Sequence, residues 1–294
     1  MIHEGDFWSG VNNPDLSLSE TDVGIIGIPY DTAASGGRGA KDAPDRIREV
    51  SATYPSRFTE QNKDIGKLRL KDFGDVQIPP LDPDQTAKRI RDKVKKLLDN
   101  EVLTVCVGGD HSVTFPAIEA HSQARDISIV WIDAHPDLID VHNESKYSHG
   151  CPLRRSLELD SVRAENVILL GIRDFTKGEM NYINKSEIEV IYAHEIAKMN
   201  VGEVVKVIED RVSGSEKTYL SFDIDVLDPA HAPGTGYPNP GGLSSRKLFD
   251  LIHSLKDINL AGFDVVEVAP TLDVNDITSL AAVKIIYEML SLQL

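Results

Sequence analysis

The run Trp131-Ile132-Asp133-Ala134-His135-Pro136-Asp137 sets three metal-ligating side chains two residues apart at the end of an apolar stretch. Successive side chains on a strand point to opposite faces, so Asp133, His135 and Asp137 can converge on one side. A second pair, Asp223 and Asp225 in Ser221-Phe222-Asp223-Ile224-Asp225, follows the strand-like run Thr218 to Leu220 with the same spacing. Gly108-Gly109-Asp110-His111-Ser112 follows Val102 to Val107 and adds another imidazole on a turn. Two imidazoles and four carboxylates exceed what one tetrahedral zinc ion takes, and they suit two divalent ions sharing bridging carboxylates. Four carboxylates balance two dications in charge, and oxygen donors without Cys favour a hard ion such as Mn over Zn or Cu. Taken singly, each motif reads as a loop or a cap. Three of them ending buried strand-like runs require a compensating cation, because buried acids are expensive unless paired or metal-bound.

The elements that must hold these residues alternate along the whole chain. Strand-like apolar runs cover Val23 to Ile28, Val102 to Val107, Ile127 to Ile132, Val167 to Leu170, Val190 to Tyr192, Thr218 to Phe222 and Leu260 to Val266. Helical patterns lie at about Pro44 to Val50, Asp84 to Leu98, Val201 to Val212, Ser245 to Leu255 and Ile277 to Leu292. Runs that are apolar throughout are buried on both faces, which predicts an α/β fold with a mostly parallel sheet and helices on each side. Ligands of such sheets bind outside the carboxyl ends of the strands, where all three motifs fall. Ser35 to Gly39 and Pro233 to Gly242 are dense in Gly and Pro and read as loops on the same side, although plain turn chemistry would use the same residues. With no linker-like segment and no internal repeat, residues 1–294 are expected to form a single domain.

The net charge of −16 argues against nucleic acid, which needs clustered Lys and Arg, and suits a cationic ligand or simple solubility. No run of about 18 uncharged apolar residues could span a bilayer. The opening residues Met1 to Asp6 lack a basic segment followed by an apolar one, so a cytoplasmic location is expected. Two cysteines are too few for a disulfide framework. Cys106 sits in an apolar run as a small hydrophobe; Cys151 lies near His149, but a dinuclear site already supplies a nucleophile.

Gly-Gly-Asp-His-Ser at 108–112, Asp-Ala-His-Pro-Asp at 133–137 and Ser-Phe-Asp-Ile-Asp-Val-Leu-Asp-Pro at 221–229 resemble the three signatures of the ureohydrolases, the arginase and agmatinase family. Supporting matches are Gly27 to Asp31, the Gly39-Ala40 turn with Pro44 and Arg48, Phe73 to Val76, and Val266-Glu267-Val268. The resemblance implies the three-layer arginase-type fold and two Mn²⁺ ions held by His111, Asp133, His135, Asp137, Asp223 and Asp225. It also implies hydrolysis of a guanidino group by attack of a metal-bridging hydroxide on the guanidino carbon, with urea and an amine released. Asp137 then doubles as a hydrogen-bond partner of the hydroxide and the leaving nitrogen. His149 matches the family's proton-shuttle histidine, an imidazole that titrates near neutrality. Glu267 matches the carboxylate that grips the planar guanidinium, and its apolar neighbours place it in a cleft. A homo-oligomer, trimer or hexamer, is expected on the same basis. His3, His121, His194 and His253 read as surface or satisfied core residues, whereas His142 and His231 lie in loops beside metal-bearing strands and are open to substrate contact.

Arginases meet the amino-acid end of arginine with an Asn and hydroxyls after the second motif and an acid in a later loop. Here Ile139 stands at the Asn position and Thr176 at that of the acid, while the segments 228–238 and 265–270 look more like agmatinases. The expected substrate is therefore agmatine, a small cationic guanidino compound. A guanidinobutyrase, an arginase, a formiminoglutamase-like hydrolase or a catalytically silent scaffold of the same fold are the alternatives. Tyr237 stands where the family commonly has a Thr, so its ring either narrows the pocket or faces the substrate cation. Tyr237→Thr is expected to change the relative turnover of different guanidino substrates more than Mn²⁺ binding; identical turnover ratios in mutant and wild type would refute this.

Overall fold

Apolar runs that end in turns become strands buried over most of their length. The computed structural model describes residues 2–54, 56–79 and 82–294, so Met1, at the head of the N-terminal segment, lies outside it. The strands are β1 (Val23–Gly27), β2 (Leu70–Asp75), β3 (Leu103–Val107), β4 (Ile127–Ile132), β5 (Val167–Ile172), β6 (Glu189–Tyr192), β7 (Lys217–Asp223) and β8 (Leu260–Val266). They form one eight-stranded sheet in the order β2-β1-β3-β8-β7-β4-β5-β6. Every pairing among them is parallel, which sharpens the expectation of a mostly parallel sheet.

The pleat divides each strand between two apolar layers. In β4, Val130 and Ile132 join the core on one face, whereas Ile129 and Trp131 join the core on the other. Helices Ala43–Thr53, Val201–Val212, Ser245–Ser254 and Ile277–Ser291 cover the first face, and Pro83–Leu98 and Thr114–Ser122 cover the second. This is the three-layer α/β arrangement. Among the described residues no helix is long and apolar enough to cross a membrane.

Strand β2 and the helix Thr114–Ser122 are among the elements that escape the sequence patterns. Strand β2 is a sheet edge, half exposed along most of its length and carrying Lys71, Asp72 and Asp75, so it lacks an apolar run. The helix Thr114–Ser122 buries seven residues all round, Thr114, Pro116, Ala117, Ile118, Ala120, His121 and Ser122, and therefore shows no amphipathic period.

The chain leaves β3 and enters β4 across a gap later filled by β7 and β8, so the four central strands are β3, β8, β7 and β4. Their carboxyl ends carry His111, Glu267, the Asp223/Asp225 pair and the Asp133 to Asp137 run, respectively. Backbone contact at this edge is close. Asp110 N–H donates to Tyr30 O (2.7 Å) and Glu267 N–H to Gly109 O (2.9 Å), and a Cβ on Gly109 would sit 1.7 Å from Tyr30 O. Only glycine fits there. Gly109→Ala should therefore lower stability by about 2 kcal/mol or more and displace His111. Denaturant unfolding and Mn²⁺ titration of the same preparation check this, and wild-type values for both would refute it.

Candidate metal centre

His111 follows the Gly108-Gly109 turn, and its ring projects among carboxylates from two other strands. Its Nδ1 lies 3.1 Å from Asp133 Oδ2, 3.0 Å from Asp137 Oδ2 and 3.1 Å from Asp223 Oδ2. His135 Nδ1 lies 3.1 Å from Asp225 Oδ2 and 3.4 Å from Asp133 Oδ1. Asp133 thus turns one oxygen to each imidazole and links two ligand groups, His111–Asp133–Asp137 and Asp133–His135–Asp225. The side chains at 133, 223 and 225 are essentially removed from solvent. Burial, then the charge of Asp133, raises Asp137 to about 7. Burial and Asp225 hold Asp223 well above the usual carboxylate range, and burial with Asp133 raises Asp225. Burial opposes protonation of both imidazoles, but the acids facing them prevail and raise each. A dication in each group would relieve this repulsion.

The atoms behind the cluster set its donor state. Ser221 Oγ–H donates to Asp264 Oδ1 (2.7 Å), so the 2.9 Å contact between Ser221 Oγ and His111 Nε2 is one in which the ring N–H donates. That fixes the Nε2 proton and leaves Nδ1, buried and without a hydrogen-bond partner in the middle of three carboxylate oxygens, as the ring atom turned to the cluster. A neutral imidazole so oriented fits a metal ion. Asp264 in turn accepts from Thr114 Oγ1 (2.8 Å) and Tyr219 OH (2.9 Å). Parallel register places Ser221 beside Asp264 on one side and Trp131 on the other. Trp131 Nε1–H donates to Asp133 Oδ2 (2.9 Å), and its ring stacks on His111 with centroids 4.2 Å apart. Asp133 Oδ1 also accepts from His135 N (2.6 Å), which fixes it on its own loop, and Asp225 Oδ1 accepts from Ala134 N (3.1 Å), which ties the turn after β7 to the loop after β4.

A cleft of about 250 Å³ opens over the cluster, lined among others by Ile139, His142, His149, Asp174, Tyr237 and Glu267. Glu267 Oε1 accepts from His111 N (2.9 Å) and from His149 Nδ1 (3.1 Å). Burial opposes protonation of His149, but the hydrogen bond and charge of Glu267 outweigh it and raise the ring to about 9. On its other side His149 Nε2 has Ser35 N at 3.1 Å and Ser35 Oγ at 2.7 Å. The Ser35 backbone can donate to the neutral ring, and its hydroxyl can accept from the charged one. Asp137 and Glu267 both adopt left-handed backbone, φ 51° and 61°. Non-glycine residues hold that conformation at a cost of about 1–3 kcal/mol, and such strain gathers at functional sites.

The Arginase family model matches residues 21–291. The chain belongs to the arginase family. A guanidinopropionase of Pseudomonas aeruginosa is 34% identical over 274 residues, covering 92% of this chain and 86% of that protein. An agmatinase of Bacillus subtilis is also 34% identical, covering 92% and 91%. The crystal structure of proclavaminate amidino hydrolase from Streptomyces clavuligerus superposes with a TM-score of 0.89 at 32% identity, over 96% of this chain and 94% of that one. The chain is thus a metal-dependent ureohydrolase.

In this ureohydrolase the six expected ligands His111, Asp133, His135, Asp137, Asp223 and Asp225 lie together, with His149 and Glu267 at one wall of the cleft. Of the two open histidines, His142 lines the cleft, whereas His231 Nδ1 faces Ser245 Oγ at 3.5 Å. His121 is a satisfied core residue, 2.9 Å from Thr104 Oγ1, and burial pushes it down to about 3. Cys151 is fully buried, and burial pushes its thiol up to about 11, the opposite of a reactive thiolate. Tyr237 spans the cleft mouth between His135 and His149, with ring centroids 5.9 and 6.0 Å away. Sequence reasoning missed Asp174 and Asp264, and it placed Ser35 on a loop at the site's side of the sheet without giving it a contact. Asp264 carried a signal, a lone acid inside the apolar run Leu260 to Val266. Ser221→Ala would release the His111 tautomer and should weaken Mn²⁺ affinity by about 10–100-fold. Calorimetric titration with Mn²⁺ measures this, and equal affinity would remove the orienting role.

Proposed function

We propose that the chain hydrolyses agmatine to putrescine and urea, with two Mn²⁺ ions held by His111, Asp133, His135, Asp137, Asp223 and Asp225. The observation that carries the agmatine reading is the lining of the cleft. It includes Asp137, Asp174, Glu179, Asp223, Asp225 and Glu267 but, among the described residues, no Lys or Arg. A substrate with a carboxylate at its far end, arginine or a guanidino acid, would meet no Lys or Arg there, whereas one with an ammonium meets acids. Ile139 and Thr176 support the same choice. Both line the cleft, and the Thr176 hydroxyl is committed to Glu179 Oε2 (2.8 Å) as a helix cap.

When bound, the two ions supply a strong nucleophile from water at neutral pH. Glu267 holds the guanidinium: Oε1 is anchored by His111 N and His149, and Oε2 makes no hydrogen bond among the described residues. Asp137, on its strained turn, hydrogen-bonds the attacking oxygen and then the departing nitrogen. His149, raised to about 9 and open to Ser35 and the cleft, delivers the proton the departing amine needs. We read residues 1–294 as one domain because one sheet runs through them. A cytoplasmic location belongs to the same proposal, as does a trimeric or hexameric assembly, which rests on the resemblance.

Urea release by the Mn²⁺-reconstituted protein, with agmatine, arginine and guanidinobutyrate offered separately at equal concentration, tests the reading. Agmatine should be preferred by at least about 10²-fold in kcat/KM. Preference for arginine would overturn the roles given to Ile139 and Thr176, and preference for guanidinobutyrate would overturn the charge argument.

A further inference from the structure

We propose that Asp174 reads the far end of the substrate, binding the terminal ammonium of a guanidino-amine and so selecting against analogues that end in an uncharged or acidic group. The inference rests on the agmatine reading above. Six acids line the cleft, and five have other commitments. Asp137, Asp223 and Asp225 face the two imidazoles, and Glu267 meets His111 N and His149. Glu179 is buried and accepts from Leu138 N and from Thr176. Asp174 is the one whose side chain stands half in solvent, 53% exposed.

No guanidinium or ammonium among the described residues compensates its charge, and the nearest imidazole nitrogen, His135 Nε2, stays 3.8 Å away. The adjacent cation, Arg173, spends its guanidinium on backbone carbonyls: Nε and Nη2 donate to Asn239 O (3.1 and 2.7 Å), and Nη1 and Nη2 also reach the 225–227 turn. Among the described residues no Lys or Arg pairs with Asp174. A neutral amide fixes it instead: Asn239 Nδ2–H donates to Oδ2 at 2.9 Å, leaving Oδ1 with no hydrogen bond among the described residues. Arg173 thus locks Asn239 and Asn239 orients Asp174, so a carboxylate oxygen is held ready without being neutralised.

Besides Glu267 and Asp174, the lining of the same cleft supplies apolar surface from Ile139, Phe175 and Tyr237. Acid, apolar wall and acid match guanidinium, methylenes and ammonium, and the aromatic rings add attraction for a cation. The rival role, orienting His135, would act through Nε2, which lies 3.8 Å from Asp174 Oδ2, beyond hydrogen-bond range.

The test uses the Mn²⁺-reconstituted full chain, wild type and Asp174→Asn, with agmatine and with pentylguanidine, in which a methyl replaces the ammonium. The ratio of kcat/KM for agmatine over pentylguanidine should fall by about 10–100-fold, through KM and not kcat. Calorimetric affinity for 1,4-diaminobutane should fall by a similar factor. An unchanged ratio, or equal losses on both substrates with weakened Mn²⁺ binding, would overturn the assignment in favour of a role through His135. If the wild type releases no urea from agmatine, the agmatine reading fails by itself. The diamine then decides: unchanged affinity in Asp174→Asn overturns the assignment, and a loss upholds it.

Discussion

Asp133 turns its two oxygens to two different imidazoles in a place from which water is excluded, and Asp137, Asp223 and Asp225 crowd the same space. Burial first, and then the repulsion of like charges so close together, raise the carboxyl pKa values of Asp137, Asp223 and Asp225. Cations relieve it and protons relieve it less well. The rest of the molecule can be understood as a frame that holds these groups at the ends of four adjacent strands, where covalent and hydrogen-bonded backbone prevents them from separating.

The frame is layered. Parallel pairing sets Trp131, Ser221 and Asp264 side by side one step below the acids. From that row Trp131 steadies Asp133, and Ser221 fixes the His111 ring with its bare nitrogen toward the acids. Asp264 is itself buried and costly, and three hydroxyls satisfy it. Above the row, the sequence must bend sharply to aim Asp137 and Glu267 back over the cluster, and both residues accept left-handed backbone to do so. Strain is tolerated there because Glu267 N–H and Oε1 are each tied to the β3 turn, at Gly109 and His111.

Selectivity lives one layer further out, on loops. The Gly36-Gly37 stretch packs so closely under Tyr237 that a Cβ on Gly36 would lie 2.5 Å from its ring, so the two loops rich in Gly and Pro act as a pair across the cleft mouth. Arg173 ties the turn after β7 to the Asn239 loop through carbonyls, which braces the loop that carries Asp174. Family members that share the metal cluster can therefore differ in substrate by changing side chains that are not themselves metal ligands.

The sequence by itself determined the ligand types, their two-residue spacing and the strands that carry them, because strand periodicity and the cost of buried acid are local facts legible in a string. Seven of the strands are visible as apolar runs, and the half-exposed edge strand β2 is not. Spacing alone could not tell that Asp133 faces both imidazoles, that Ser221 and Asp264 choose the tautomer of His111, or that His142 enters the cleft and His231 does not. Those outcomes depend on which strands are neighbours. β3 and β4 are joined across β8 and β7, which come later in the chain, and only the assembled sheet brings Asp174, Tyr237 and Glu267 around one opening.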